Sequence, residues 1–405
     1  MRRLRTASAR RLTAVLAAVA ALALTVGIAQ GALTGAGPTP APKALASAIF
    51  DALEAPEPDG ISAKIQFTND LLPSGSLPEG TASPLLAGAD GRLWIQRDGD
   101  MRLELQSGAG DAQIVVSGDR VTIYDAGSNT LYRMTLPDGA KDVTKPSRHD
   151  GEKLTLAKVQ AALDRLARSW TVSGAEPVSI AGRPAYSMKV SPKDDGGLLG
   201  AAKLAWDAVR GAPLHAAVYA QGRTEPVLEL ETTEISYDAV PDSAVRVTPP
   251  AGAKVVDLGA SSAAKPSPRE RGAKRTHAAA EGPAAVQRKL DFELAAPATL
   301  AGLPRKEVRL VSFDGQPGAL AIYGRGLGAI AVVQRKAAPA EAAGHDDDQG
   351  PGALRLPQIN IDGATGSELA TALGTIVTFE RGGVAYVVAG SVPPVAAENA
   401  ARGLR

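Results

Sequence analysis

At 405 residues the chain is long enough for two domains. Lys and Arg number 44 against 43 Asp and Glu, a net charge of +1, so there is no global electrostatic case for a nucleic-acid partner or for an anionic membrane surface. Cysteine is absent, which excludes disulfides, thiolate metal ligands, a thiol nucleophile and a lipidated N-terminal cysteine.

The chain begins with Arg2, Arg3, Arg5, Arg10 and Arg11, followed by an uncharged apolar run from Leu12 to Ala29. A basic start and such a run form an export signal. About 18 residues at 1.5 Å each nearly span a ~30 Å hydrocarbon core. Residues 1–31 are therefore expected to be a signal peptide, cut near Ala29-Gln30-Gly31, or a single transmembrane anchor. Either outcome leaves the remainder extracytoplasmic, in the cell envelope. Residues 32–42 are expected to form a tether. Leu45, Ile49, Ala52 and Leu53 then fall at helical spacing, and Pro56 with Pro58 end the pattern. Ile61–Phe67 reads as a strand. The segment Asp70–Asp90 reads as a loop whose leucines tuck against the core or cover a cavity.

Gly91–Leu136 is the most regular stretch. Asp98-Gly99, Ser107-Gly108, Gly118-Asp119 and Gly127-Ser128-Asn129 divide it into five short runs. Leu93 and Ile95 alternate with Arg92, Trp94 and Gln96, and Met101, Leu103 and Leu105 with Arg102, Glu104 and Gln106. Period-two patterning between turn residues predicts an antiparallel meander with one buried face. A second amphipathic helix is expected over Leu156–Leu166. Strand candidates follow at Ser179–Ile180, Ala185–Val190, Ala201–Asp207, Leu214–Ala220 and Val227–Thr233, with a last run at Ala244–Thr248. Residues 43–258 are thus expected to form one domain. Residues 259–283, nearly free of large apolar side chains and carrying Lys265, Arg269, Arg271, Lys274 and Arg275, read as a disordered basic linker. Residues 284–405 read as a smaller α+β domain with strands at Lys306–Phe313, Ala319–Tyr323, Ala329–Arg335, Thr375–Glu380 and Val384–Ala389.

Catalytic patterns are missing. Of four histidines only His215 falls in an element, where a structural role is the better reading. His345 with Asp346–Asp348 is read as a solvated acidic loop rather than a cation site. Gly324-Arg325-Gly326-Leu327-Gly328 opens no helix, so it reads as a hairpin turn rather than a phosphate loop. The chain is expected not to be an enzyme, and to need no cofactor and no metal.

Three segments carry a family resemblance. Gly91-Arg-Leu-Trp-Ile-Gln-Arg97 is similar to a G-x-L-W-V-x-R-P strand, with Asp98 in place of the proline. Val116-Ser-Gly-Asp-Arg-Val-Thr-Ile-Tyr-Asp125 is similar to a turn leading into a strand that ends Tyr-Asp. Val245-Arg-Val-Thr-Pro-Pro-Ala-Gly-Ala-Lys-Val-Val256 is similar to a closing F-x-F-x-P-P-x-G-x-x-V. In order and spacing the region from about Leu45 to Leu258 resembles the LolA-type lipoprotein carriers and the related RseB and LprG-like proteins. The resemblance implies an unclosed β-barrel with a helical lid, and a lid-contact role for Arg97. The residues alone fit equally an edge arginine facing water.

The expected fold class is α+β, mainly antiparallel β, with a LolA-like half-barrel and a smaller C-terminal α+β domain. A sheet with one apolar face must cover it with helices, another sheet or a ligand. Leu93, Trp94, Ile95, Leu103, Leu105, Ile123, Met188 and Leu230 are the candidate lining of an apolar cavity; the alternative is that they fill a closed core. The functional expectation is an envelope carrier of lipids or of lipoprotein acyl chains. The alternative, implied by the RseB resemblance, is a regulatory protein that binds an anti-sigma factor or another envelope partner.

Overall fold

Alternation of apolar and polar residues along Ala89–Gln96, Met101–Ser107, Gly110–Ser117, Arg120–Asp125 and Thr130–Thr135 produces five consecutive antiparallel strands, β2 to β6. The reversals fall where the backbone must take a left-handed conformation, at Gly99 (φ 97°), Gly118 (φ 59°) and Asn129 (φ 46°). The computed structural model describes residues 37–73, 83–108, 110–135, 154–193, 197–247, 250–257, 281–313, 316–337 and 356–404. The expected leader, residues 259–280 of the expected basic linker and the His345 loop lie outside the described residues; Pro283, the linker's expected last residue, already opens a helix. No helix among the described residues is long and apolar enough to cross a membrane.

The chain divides into two units. One takes in residues 1–71, 79–194 and 200–258, the other 72–78, 195–199 and 259–405. In the first unit, β1 (Gly60–Asn69) and β2–β6 continue into β7 (Trp170–Val172), β8 (Glu176–Ile180), β9 (Arg183–Pro192), β10 (Leu199–Asp207), β11 (Pro213–Ala220), β12 (Leu228–Ser236) and β13 (Lys254–Asp257). The sheet runs β13-β6-β5-β4-β3-β2-β1-β12-β11-β10-β9-β7, with β8 on β9. Its two ends do not pair with each other among the described residues, so the barrel is unclosed, as expected.

Among the described residues four helical segments accompany this sheet. α1 (Leu45–Glu54) and α2 (Pro84–Ala87) precede the meander, and α3 (Leu156–Leu166) follows it. α3 is capped by Thr155, whose side chain accepts from the Lys158 amide. α1 seats Ala48 against Tyr186, Met188 and Trp206, while Ala46 packs on Val159 and Leu163 of α3. Ala41, in the expected tether, accepts a 2.6 Å hydrogen bond from the Tyr186 hydroxyl, so the approach to α1 is pinned to the sheet.

The described part of the expected run at Ala244–Thr248, Ala244–Val247, is not a strand. After Pro241 the chain makes the one-turn helix α4 (Asp242–Val245). The segment from β12 to β13 then crosses to the far edge of the sheet, where β13 pairs parallel to β6. Gln96 Nε2 holds the crossing at Val240 O (3.1 Å) and Asp242 Oδ1 (2.9 Å), and Arg102 Nη1 holds it at Ala244 O (3.2 Å).

The second unit is an eight-stranded antiparallel sheet of β14 (Thr299–Leu300), β15 (Leu303–Phe313), β16 (Gln316–Tyr323), β17 (Ile330–Lys336), β18 (Gln358–Ile361), β19 (Ala364–Thr371), β20 (Gly374–Arg381) and β21 (Val384–Gly390), in the order β14-β15-β16-β17-β21-β20-β19-β18. α5 (Pro283–Gln287) and α6 (Pro394–Arg402) contribute Val286, Ala397, Ala400 and Ala401 to its core with Val332, Val377 and Val388. The alanines let α6 approach closely. Buried Gln334 satisfies both polar groups of Ala295, donating to its carbonyl at 2.8 Å and accepting from its amide at 2.9 Å. The buried Tyr323 hydroxyl has no hydrogen-bond partner among the described residues, and burial pushes it up to about 12.

Candidate functional site

Register turns alternation into a surface. Residues directly opposite on neighbouring strands share a face, so the pairing of β1 to β6 lines up three ranks on one side. The first is Ile61, Ile95, Met101, Val116, Val121 and Met134; the second is Ala63, Leu93, Leu103, Ile114, Ile123 and Tyr132. The third, Ile65, Gly91, Leu105, Ala112, Asp125 and Thr130, becomes polar toward β6. Beyond β1 the face continues onto β12, where Leu230 stands opposite Phe67.

Burial along this face is graded. Phe67, Leu105 and Ala112 are fully buried and cluster with Leu85 of α2. In the first rank Ile61, Ile95, Met101 and Val121 are half-buried and Met134 is 38% exposed. The helix pair sits elsewhere: its clusters contain Val172, Tyr186, Met188, Val190, Leu204 and Trp206, which belong to β7, β9 and β10.

The expected lining residues therefore separate into three groups. Leu93, Ile95, Leu103, Leu105, Ile123 and Leu230 lie on the one apolar face. Met188 lies under α1, in the neighbouring cluster. Trp94 lies on the opposite face, paired with Ser62 and Arg102, and the Arg102 guanidinium stacks over its ring at 5.3 Å. Arg102 also pairs with Glu104, and burial lowers its pKa from the ordinary value. Arg97 Nη1 meets Asp59 Oδ1 at 3.1 Å, in the connection between α1 and β1; the side chains are 61% and 72% exposed. An exposed pair of this kind contributes little.

Two buried polar groups were not in the expected set. His215 Nε2 meets Glu229 Oε1 at 3.1 Å, with side chains 1% and 4% exposed. Asp207, equally buried, accepts from the Tyr237 hydroxyl at 2.7 Å and from the amides of Val209 and Arg210. Burial first, and then Asp207, push the Tyr237 hydroxyl well above its ordinary value. Both groups are local anchors of the fold rather than a reactive pair. Among the described residues there is no group of three or more His, Cys, Asp or Glu side chains that could hold a metal ion. A polar cleft of about 380 Å³ opens on the Trp94 side of the sheet, between Lys64, Asp90, Arg92, Glu104, Gln106 and Thr233.

The architecture is α+β and mainly antiparallel, with an unclosed half-barrel sheet in the first unit. No family model and no curated protein matches the chain. Among solved structures it is similar to MucB in complex with MucA(peri), at 15% identity and a TM-score of 0.41, covering 89% of this chain and 96% of that one. The Pseudomonas aeruginosa MucA/MucB complex gives 15% and 0.42, over 88% and 96%. A LolA superfamily protein from Nitrosomonas europaea gives 11% and 0.21, over 51% of this chain and 98% of that one. Identity this low carries no activity across, so what the sheet does is read from its own geometry.

Proposed function

We propose that the first unit is an envelope binding module for an extended apolar ligand, the acyl chain of a lipid or of a lipid-modified protein. The observation behind this reading is the first rank, where Ile61, Ile95, Met101 and Val121 are half-buried and Met134 is exposed, on a face that α2 covers only around Phe67, Leu105 and Ala112 while α1 and α3 sit at the β7–β10 end. Each methylene fully removed from water contributes about 0.8 kcal/mol, so ten contribute up to about 8 kcal/mol, within the ~4–15 kcal/mol span of the cost of association. No catalytic group is needed. Leu93, Ile95, Leu103, Ile123 and Leu230 form the ligand-facing set, Leu105 its floor, and Met188 the boundary with α1. Trp94 buttresses the reverse side through Arg102. Export rests on the Arg-rich start and the Leu12–Ala29 run; N-terminal sequencing of the mature protein distinguishes a released form from an anchored one.

Mass spectrometry of the purified full chain, together with titration of a fluorescent acyl probe, tests this reading. Co-purified lipid and saturable uptake are expected. Absence of both refutes it.

The second unit, with its own core, favours a second reading: an envelope regulatory protein that holds an extracytoplasmic segment of an anti-sigma factor or similar partner. On that reading a synthetic peptide of the segment binds the full chain and acyl ligands alter its affinity. Peptide affinity indifferent to lipid, or no affinity, leaves the simple carrier.

A further inference from the structure

The reverse face of the first sheet carries a rank of four charges, two of each sign, in which one cation is left without an ion pair among the described residues. Glu234, Lys64, Arg92 and Glu104 stand opposite one another in register across β12, β1, β2 and β3. Lys64 pairs with Glu234 at 2.8 Å, and Glu104 pairs with Arg102. That leaves Arg92 directly opposite Lys64, a like-charge cross-strand pair, which is destabilising unless an anion lies over it. Asp90 is on the same strand and the same face as Arg92, two residues away, or about 6.6 Å along the backbone. Both side chains are exposed, and neither has a hydrogen-bonding or ion-pair partner among the described residues.

These groups share one concavity. Lys64, Asp90, Arg92, Glu104, Gln106 and Thr233 line the cleft of about 380 Å³. A second cleft of about 260 Å³ shares Asp90 and Gln106 and runs on toward Gly88 and Ser107. A β-bulge at Lys64/Ile65 helps to shape the first cleft, and there the Thr233 hydroxyl donates to the Lys64 carbonyl at 3.3 Å. Two cations and two anions line the cleft, so a purely anionic ligand meets Asp90 and Glu104 as well as Arg92. A ligand with separated opposite charges matches both unpaired groups at once. The planar guanidinium suits an oxyanion, and the carboxylate suits an ammonium.

We propose that this cleft binds a zwitterion, its phosphate or carboxylate on Arg92 beside Lys64 and its ammonium facing Asp90, presented as a lipid headgroup or as a free solute. Titration calorimetry of the full chain with O-phosphoethanolamine tests it. Saturable binding is expected, weakened about tenfold or more in Arg92→Ala and in Asp90→Ala, since each removes one charge-assisted contact. Inorganic phosphate and ethanolamine alone should each bind at least about tenfold more weakly. Both substituted residues are exposed, so thermal unfolding should confirm intact folding. Absence of saturable binding, equal binding of inorganic phosphate, or an Arg92→Ala affinity matching the parent overturns the proposal. Co-sedimentation with vesicles identifies the source. Capture by phosphatidylethanolamine and not by phosphatidylglycerol, lost in Arg92→Ala, assigns a headgroup. Binding of the soluble compound without capture assigns a free solute. Equal capture by both lipids, indifferent to Arg92→Ala, counts against the site.

Discussion

Met134 gives a direct handle on the apolar face. It ends the first rank at β6 and keeps 38% of its side chain exposed. A fully buried Met is worth about 1.5–3 kcal/mol, so covering the remaining 38% under a ligand yields about 0.6–1.1 kcal/mol. Met134→Gln should therefore weaken an acyl probe about threefold to sixfold, taking about 1.4 kcal/mol as tenfold. Because the residue is exposed, unfolding free energy should move by no more than about 0.5 kcal/mol. The control is Val255→Gln: Val255 is 51% exposed but stands opposite Leu131, on the other face. The assay is fluorescence titration of one acyl probe against parent and both variants. An unchanged dissociation constant in Met134→Gln, or an equal loss in Val255→Gln, would refute the assignment of the ligand to the Leu93 face.

Other consequences follow from buried groups. His215→Ala strips the Glu229 carboxylate of its partner at 4% side-chain exposure, and urea unfolding should show a loss of about 1–3 kcal/mol; a change under about 0.5 kcal/mol would mean that the pair is not buried in solution. The Glu231 carboxyl is held above its ordinary value of 4.5 chiefly by burial, with His215 opposing and Glu229 adding. Its folded form holds a proton more tightly than the unfolded chain, so this stabilisation is complete below the ordinary carboxylate value and is lost as pH rises through the folded one. Glu231→Gln should flatten the decline of stability as pH rises above the ordinary carboxylate value, measured by denaturant unfolding, and a parallel curve would exclude this group. Gly91→Ala would place a Cβ 2.5 Å from Glu104 O and 2.9 Å from Leu105 Cδ2, and should cost about 1–3 kcal/mol by the same measurement.

The meander was legible because every local signal agreed: two-residue periodicity, then Gly or Asn where positive φ was needed. Pairing partners were not legible. Ala244–Thr248 has the composition of a strand. Its described part, Ala244–Val247, lies instead in a crossing segment, which Gln96 holds at Val240 and Arg102 at Ala244 from strands distant in sequence. β18 and β19, Gln358–Ile361 and Ala364–Thr371, escaped for a related reason. β18 alternates but is only four residues long, and the Gly, Ser and Thr residues of β19 carry little apolar alternation, so its pairing with β20 supplies the ladder. The lining set drew on both faces of β2, which register separates. Period two puts Trp94 on the face opposite Leu93 and Ile95 wherever those point. Met101 and Val121 share the face of Ile95 and were legible by the same parity. The His215–Glu229 pair depends on β11 pairing with β12, which sets His215 opposite Glu231 and Ala217 opposite Glu229; no local motif announces it.

Strand β2 serves two surfaces at once. Leu93 and Ile95 face the apolar ranks, while Asp90 and Arg92 face the polar cleft, and the pleat separates them by less than the length of a side chain. The two proposed sites thus share a backbone but no side chains. Sites with no shared partners and well apart contribute additively, whereas a common backbone shift couples them. Arg92→Ala should leave acyl-probe affinity within about 0.5 kcal/mol of the parent, and Met134→Gln should do the same for O-phosphoethanolamine. The double variant should then show the sum of the two single effects on each ligand. A coupling above about 1 kcal/mol in either titration would mean that occupancy of one face alters the twist of β2 and is felt on the other. In that case the sheet would act as a relay between a zwitterion and an acyl chain, and the faces could not be treated as independent sites.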